Sequence, residues 1–307
     1  MSIILSLSEH EGSIWAAGPY GLFAVGEAEL TPTPQPQERL TAACSLGDRI
    51  FTGGAPFGVA YLLESAEQWQ AAWQEGADSA VLTFASAPDY DDSGVILAGS
   101  EGDGVLRSRD RGLRWMPSNF GLRNLTVLTV AWAPLMDEDT WPRWQVVFAG
   151  TEEGIYRSPN AGLGWKRSES ADAAYQTVAV APDMHCSGLV LAGTEAGGLW
   201  RSTDGGRSFD AVEDAPEQVN SLIALASGSE SASAGAGGGS ANWLLSDDTQ
   251  LWSSQDGAAW SPVEGSTPAL CMLEVAGSVY VGGENGVTVL NSASLQVERQ
   301  LQIPVMT

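Results

Sequence analysis

Three stretches of the chain read VILAGSEGDGVLRSRDRGLRW (95–115), VVFAGTEEGIYRSPNAGLGW (146–165) and LVLAGTEAGGLWRSTDGGRSF (189–209). Each begins with a short apolar run that stops at Ala-Gly. A turn of acidic and glycine residues follows, then a second short run, then a polar turn that ends on an aromatic residue. Neither run is long enough for a helix, and both are rich in β-branched and small residues, so each segment reads as a β-hairpin that leads into a further strand.

Weaker copies lie on both sides: IWAAGPYGLFAV (14–25), IFTGGAPFGVAYLL (50–63), NWLLSDDTQLWSSQDGAAW (242–260) and VYVGGENGVTVLNS (279–292). Aligned on Gly18, Gly54, Gly99, Gly150, Gly193, Ser246 and Gly283, the seven copies recur every 36 to 53 residues. Another apolar run precedes each copy, as in LTAACSLG (40–47), VLTFASAP (81–88) and TVLTVAWAP (126–134). Four strands A to D in about 44 residues make one propeller blade. The expected fold is therefore all-β: a single seven-bladed β-propeller domain over residues 1–307, with four-stranded antiparallel blades. The chain opens on an A strand and closes on a candidate D strand, QVERQLQI (296–303), so that either no strand is borrowed to close the ring or the last few residues serve as a closing strand instead. The D strand of the first blade, ELTPTPQPQE (29–38), is proline-rich and hard to place. The stretch ESAEQWQAAWQEG (64–76) is either a short helix, with Trp69 and Trp73 one turn apart, or an irregular strand.

Composition narrows the function. The 307 residues carry 38 acidic and 14 basic side chains, a net charge of −24. Nucleic-acid binding and attraction to an anionic membrane both need clustered Lys and Arg, so neither is expected. There is no membrane-spanning run and no secretory leader pattern. The three cysteines show neither disulfide nor metal-ligand spacing, which gives an expectation of a cytoplasmic protein without metal or cofactor.

The polar turn between strands C and D is the most specific motif. It reads SRDRGLRW (108–115), SPNAGLGW (158–165) and STDGGRSF (202–209), with a looser copy SSQDGAAW (253–260). This Ser-x-Asp-x-Gly-x-x-Trp pattern resembles the Asp-box, or BNR repeat, of sialidases, sortilin-type receptors, xyloglucan-degrading enzymes and a photosystem II assembly factor. The residues that carry the resemblance are Ser108, Asp110, Gly112 and Trp115; Ser158, Asn160, Gly162 and Trp165; Ser202, Asp204, Gly206 and Phe209; and Ser253, Gly257 and Trp260. The Ser and Asp oxygens can accept turn N–H groups and the Gly can take a positive φ. Asn160 and Gln255 at the Asp position favour a turn staple over a ligand-binding carboxylate. Arg107, Arg157 and Arg201 precede the turn Ser. They read as structural arginines paired with carboxylates rather than as a cluster for an acidic ligand.

The resemblance to sialidases implies an arginine triad and a Tyr–Glu pair on inner strands, but the A runs hold no arginine in their cores. His185 and Cys186 adjoin in an ordinary A–B loop, and adjacent side chains seldom converge on one point. A non-enzymatic protein-interaction or assembly module is expected, and a glycoside hydrolase or lectin is the rival. The candidate partner-binding residues lie on the B–C hairpins: Glu101, Asp103, Glu152, Glu153, Glu195, Asp247, Asp248 and Glu284. Ring closure would set them around one acidic rim, suited to a basic partner protein. Trp141 and Trp144, in an insertion at 135–145, are either packed down or a contact point. The low-complexity stretch 227–242 reads as a flexible surface insertion.

Overall fold

The computed structural model describes residues 3–10, 12–34, 39–55, 58–63, 68–136, 145–225, 242–284 and 286–304. They form seven antiparallel sheets arranged as a seven-bladed β-propeller. The innermost strands are Ser6–His10, Arg39–Leu46, Val81–Ser86, Val127–Trp132, Tyr175–Val180, Ser221–Leu225 and Cys271–Val275. These are the seven A runs of the sequence. Each pairs with its B strand, B with C and C with D. Trp141, Trp144 and the low-complexity stretch up to residue 241 lie outside the described residues.

Chain closure follows the expected phasing. The last blade carries its own D strand, Val297–Gln302, and no strand is exchanged. The ring instead closes through a bridge between Ile3 and Glu284 and a bond from the Ile4 amide to the Gly283 carbonyl at 3.1 Å. In the first blade the prolines confine the D strand to Leu30–Thr33.

The stretch around Trp69 and Trp73 is strand. Gln70–Ala71 completes blade two, while Trp73–Gln74 runs parallel to the D strand of blade three and makes that sheet five-stranded. The one-turn spacing of the two tryptophans has another cause: the Trp69 indole N–H donates to the Pro34 carbonyl, and Trp73 lies under the Arg114 guanidinium. The helical turns among the described residues, Tyr90–Ser93 and Met184–Ser187, sit in A–B loops.

The core is the set of seams between blades. Phe51, Val59, Val81, Ile96, Leu106 and Trp115 fill the seam of blades two and three. Ile4, Ala16, Phe23, Val287, Val289 and Leu301 fill the closing seam. Apolar faces on both sides of each sheet explain why the strands read as continuous apolar runs.

Two sets of glycines set the seam spacing. On the B strands, a Cβ at Gly99 would lie 2.8 Å from Val127, and one at Gly53 would lie 2.8 Å from Val81. One at Gly282 would lie 2.8 Å from Ile4. Each of these neighbours belongs to the next blade. The glycine facing the next blade is thus Gly53 in blade two and Gly282 in blade seven, one residue before the Gly54 and Gly283 of the sequence alignment. In the C–D turns the contact runs the other way. Gly112 faces Phe51, Gly162 faces Leu97, Gly206 faces Phe148 and Gly257 faces Leu191, each on the preceding blade. All four have φ between 71° and 82°, so the position needs both a positive φ and no side chain.

Gly206→Ala should therefore cost about 3 kcal/mol or more, from backbone strain plus overpacking against Phe148. Gly265→Ala has a similar φ of 74° but open space around it, and should cost only about 1 kcal/mol. Urea unfolding of the two variants measures the difference; equal costs would remove packing from the explanation.

Candidate functional site

The C–D turns are built alike. In blade five the Ser202 hydroxyl donates to Asp204 Oδ1 at 2.8 Å and accepts the Gly206 amide at 2.9 Å. Asp204 Oδ1 also accepts the Arg207 and Ser208 amides, and Oδ2 accepts the Ser208 hydroxyl. In blade three, Ser108 and Asp110 repeat the arrangement, with the Arg114 amide on Asp110 at 2.9 Å. In blade four Asn160 Oδ1 accepts the Gly164 amide at 3.0 Å, so an amide oxygen suffices. The turn needs an acceptor, not a charge. Of the closing aromatics, Trp115 donates to Gly112 within its own turn, and Trp165 donates to Ser118 of the blade before. Phe209 is buried against the core.

The fourth turn differs from its sequence reading. Strand register places Ser254, not Ser253, opposite Trp243, where Ser202 faces Val190. Ser254 and Asp256 make the turn bonds, with the Gly257 amide on Ser254 at 2.9 Å and the Ala258 amide on Asp256 at 2.9 Å. Ser253 lies within strand C, paired with Leu244 and Ser261. This turn lacks the residue that separates Asp204 from Gly206 in blade five, and its glycine and Trp260 were right in sequence because the missing residue lies before them.

That missing residue has a partner elsewhere. Arg107 Nε donates to the Ala161 carbonyl of the next blade at 3.0 Å, and Arg157 Nε donates to Gly205 of the next at 2.8 Å. Both carbonyls belong to the residue just before the turn glycine. These arginines are structural, but they pair with backbone rather than with carboxylates. In blade six the shortened turn puts Asp256 itself before the glycine, and Arg201 Nε is buried without a hydrogen-bond partner among the described residues.

The rim acids divide in two. Asp103 accepts the Asp78 and Ser79 amides, and Asp247 accepts Thr249, Gln250 and the Trp252 indole. Asp248 accepts the side-chain amides of Gln218 and Asn220 at 2.8 Å. These three organise loops. Burial tends to raise the Asp247 carboxyl, but the bonds from Thr249, Gln250 and Trp252 outweigh it and lower its pKa. Glu101, Glu152, Glu153, Glu195 and Glu284 are exposed.

The structure adds acids that the motif reading missed. The D–A loops open on the same face as the B–C hairpins, and they present exposed Asp78, Asp172, Glu213, Asp214, Glu217 and Glu264. The loop class, known from the blade phasing, was the available signal. Two exposed arginines, Arg39 and Arg123, stand among these acids. The face is therefore a broad acidic field around the channel mouth.

The channel holds a cavity of about 330 Å³ with no charged side chain in its lining. Leu5, Leu82, Leu128 and Leu270 alternate there with Ser, Thr, Gln176 and Asn220. Cys44 and Cys271 also line it, and burial pushes both thiols up to about 12, which leaves them protonated and unreactive. His185 Nε2 lies 2.5 Å from the Pro134 carbonyl. Among the described residues, no group of three or more His, Cys, Asp or Glu could hold a metal ion, and no helix is long and apolar enough to cross a membrane.

No protein-family model and no curated protein sequence matches the chain. Solved structures do. An ancestral GH74 enzyme matches with a TM-score of 0.71 at 14% identity, over 98% of this chain and 46% of the other. The extracellular domain of a putative one-component system from B. thetaiotaomicron gives 0.69 at 15% identity, over 94% and 38%. Sqt1 of Saccharomyces cerevisiae gives 0.67 at 10% identity, over 97% and 85%. The chain spans less than half the length of the first two. At such identities the shared property is the propeller fold, and its hosts include both enzymes and WD40 domains such as that of Doa1.

Two outcomes test the turns. Burial alone would raise the Asp204 carboxyl, but the bonds from Ser208, Ser202 and Arg207 prevail and hold it at about 2. A depressed carboxylate stabilises the fold above its unfolded pKa, and the gain is lost as pH falls from about 4 through 2. Asp204→Asn keeps the acceptor without the charge, so its melting temperature should fall less than the wild type's between pH 5 and pH 2.5. Separately, Arg157→Met should cost about 1–2 kcal/mol more than Arg201→Met in denaturant unfolding, because only Arg157 has a cross-blade acceptor to lose.

Proposed function

We propose that the chain is an Asp-box propeller that acts as a non-catalytic protein-interaction module, using its acidic face to hold a basic segment of a partner protein. The observation that carries this reading is the union of two loop classes on one face. Exposed carboxylates from B–C and D–A loops of successive blades surround the channel mouth, with few cations among them. Summed potentials of several kT arise from such arrangements and steer oppositely charged partners. The turn chemistry supports the family assignment, since Ser, Asp or Asn, and Gly occupy equivalent, mutually bonded positions in four blades. The proposal includes a reducing, cytoplasmic setting, consistent with three free cysteines.

The likeness to GH74 enzymes keeps a carbohydrate-active reading in view. A glycosidase needs two carboxylates at a defined separation, one of them in a pocket that raises its pKa. The rim glutamates stand on exposed hairpins and the channel lining has no carboxylate, which favours binding over hydrolysis.

The test is a pull-down from the source cell at low and high salt, with the wild type and a Glu152→Lys/Glu153→Lys/Glu195→Lys variant. The expected result is a basic partner retained at low salt and lost from the variant, with a salt slope for wild type. A fluorogenic glycosidase panel should stay silent. Turnover of a glycoside, or a partner retained unchanged by the triple variant, would overturn the proposal.

A further inference from the structure

Eleven of the 14 basic residues fall between Arg107 and Arg207, on blades three to five. Three of them meet away from the acidic face. Arg157, the chain's one lysine, Lys166, and Arg207 line a cleft of about 390 Å³, together with Arg167, Ser168 and Ser208. The cleft lies between the D strand of blade four, Lys166–Arg167, and the C–D turn of blade five.

The charges there are unusual for this chain. Although acids outnumber bases 38 to 14, none of Arg157, Lys166 and Arg207 is in an ion pair with a carboxylate of the described residues. Arg167 pairs with Asp172. Arg157 spends only Nε on the Gly205 carbonyl, and among the described residues its two terminal nitrogens have no acceptor. Half burial, and then the nearby Arg207 charge, lower the pKa of Arg157, and the Asp204 carboxylate offsets them only in part. The lining carries four cations against Asp204 and Glu169, a net of about +2 by formal charge. The Asp204 oxygens are already taken by the turn's own N–H and hydroxyl groups.

The walls are fixed before any ligand arrives. Ser168 Oγ donates to Gly206 at 2.6 Å, the Glu169 amide to Arg207 at 2.8 Å and the Phe209 amide to Glu169 at 2.8 Å. With the Arg157 bond, four cross-blade links tie the two sides. A cleft so held loses little conformational freedom on binding.

We propose that this cleft binds a phosphomonoester dianion, through the guanidinium forks of Arg157 and Arg207 and the ammonium of Lys166. The Arg157 fork, the Lys166 ammonium and the Arg207 guanidinium, one nitrogen of which donates to the Asp204 carbonyl of its own turn, line the cleft from different elements, which suits a tetrahedral group with three acceptor oxygens. A single carboxylate is planar and carries one charge, so one fork would satisfy it. The cleft is large enough for the phosphate and a few attached atoms. The phosphate is supplied either by a small metabolite or by a phosphorylated side chain of a partner.

The experiment is isothermal titration of the full chain at low salt with O-phosphoserine, with a seven-residue phosphoserine peptide, and with succinate as a dianion of different shape. One-to-one saturation by O-phosphoserine is expected, weakened at least tenfold in Lys166→Ala/Arg207→Ala, since each charged hydrogen bond lost is worth about that factor. The control variant Arg109→Ala/Arg114→Ala removes the same charge outside the cleft and should bind within twofold of wild type. Both test residues are exposed, so thermal melting of the double variant should match wild type. Equal affinity for the peptide and free phosphoserine assigns a small ligand, and tenfold tighter peptide binding assigns a partner chain. The proposal fails if neither phosphorylated probe saturates, if succinate binds as tightly, or if the two double variants behave alike.

Discussion

A ring of seven twisted sheets closes only if neighbouring backbones come closer than side chains normally allow. Everything else in this chain accommodates that approach. On the inner side, B-strand glycines such as Gly99 and Gly53 admit the first residues of the next blade's A strand. On the outer side, the C–D turn glycines admit a Phe or Leu from the blade before. The Ser and Asp of each turn hold that glycine at positive φ, because without the side-chain acceptors its neighbours' amides would be unpaired. Arg107 and Arg157 of strand C then reach across the seam to the carbonyl beside the glycine of the next blade. The motif is thus a device of contact between blades, and its tolerance of Asn160 follows from that role.

The same geometry sorts the charges. Loops at the start of the A strands gather on one face, and acids from both loop classes accumulate there without needing to pair. The C strands carry the structural arginines next to the turns at the other end of the blades. A chain of net charge −24 therefore presents a broad acidic face and, away from it, a small basic cleft.

Much of the fold was legible because a repeat makes local patterns confirm one another. The Ala-Gly stop in 95–115 ends four of the seven copies, with Gly-Gly in two and Leu-Ser in one, and strands A to C followed from it. What failed to be legible depends on contacts distant in sequence. Ser253 and Ser254 are adjacent serines, and only strand register shows that the turn lost one residue after Asp256. Trp69 and Trp73 have helical spacing, yet Pro34 and Leu113, far along the chain, hold that segment as strand. The arginines were recognised as structural, but their backbone acceptors carry no residue identity to read. The D–A acids sit in irregular loops outside any motif, so the acidic face was seen as a narrower rim.

The central claim is that the turn glycine is required by the preceding blade, and a double-mutant cycle between Gly206→Ala and Phe148→Leu tests it most directly. Leucine is what blades three and five already place at this position, as Leu97 and Leu191. The account predicts that Phe148→Leu relieves the crowding, so the cost of Gly206→Ala falls by about 1 kcal/mol or more in the leucine background. Strictly additive costs would contradict it and reduce the glycine to a local backbone requirement.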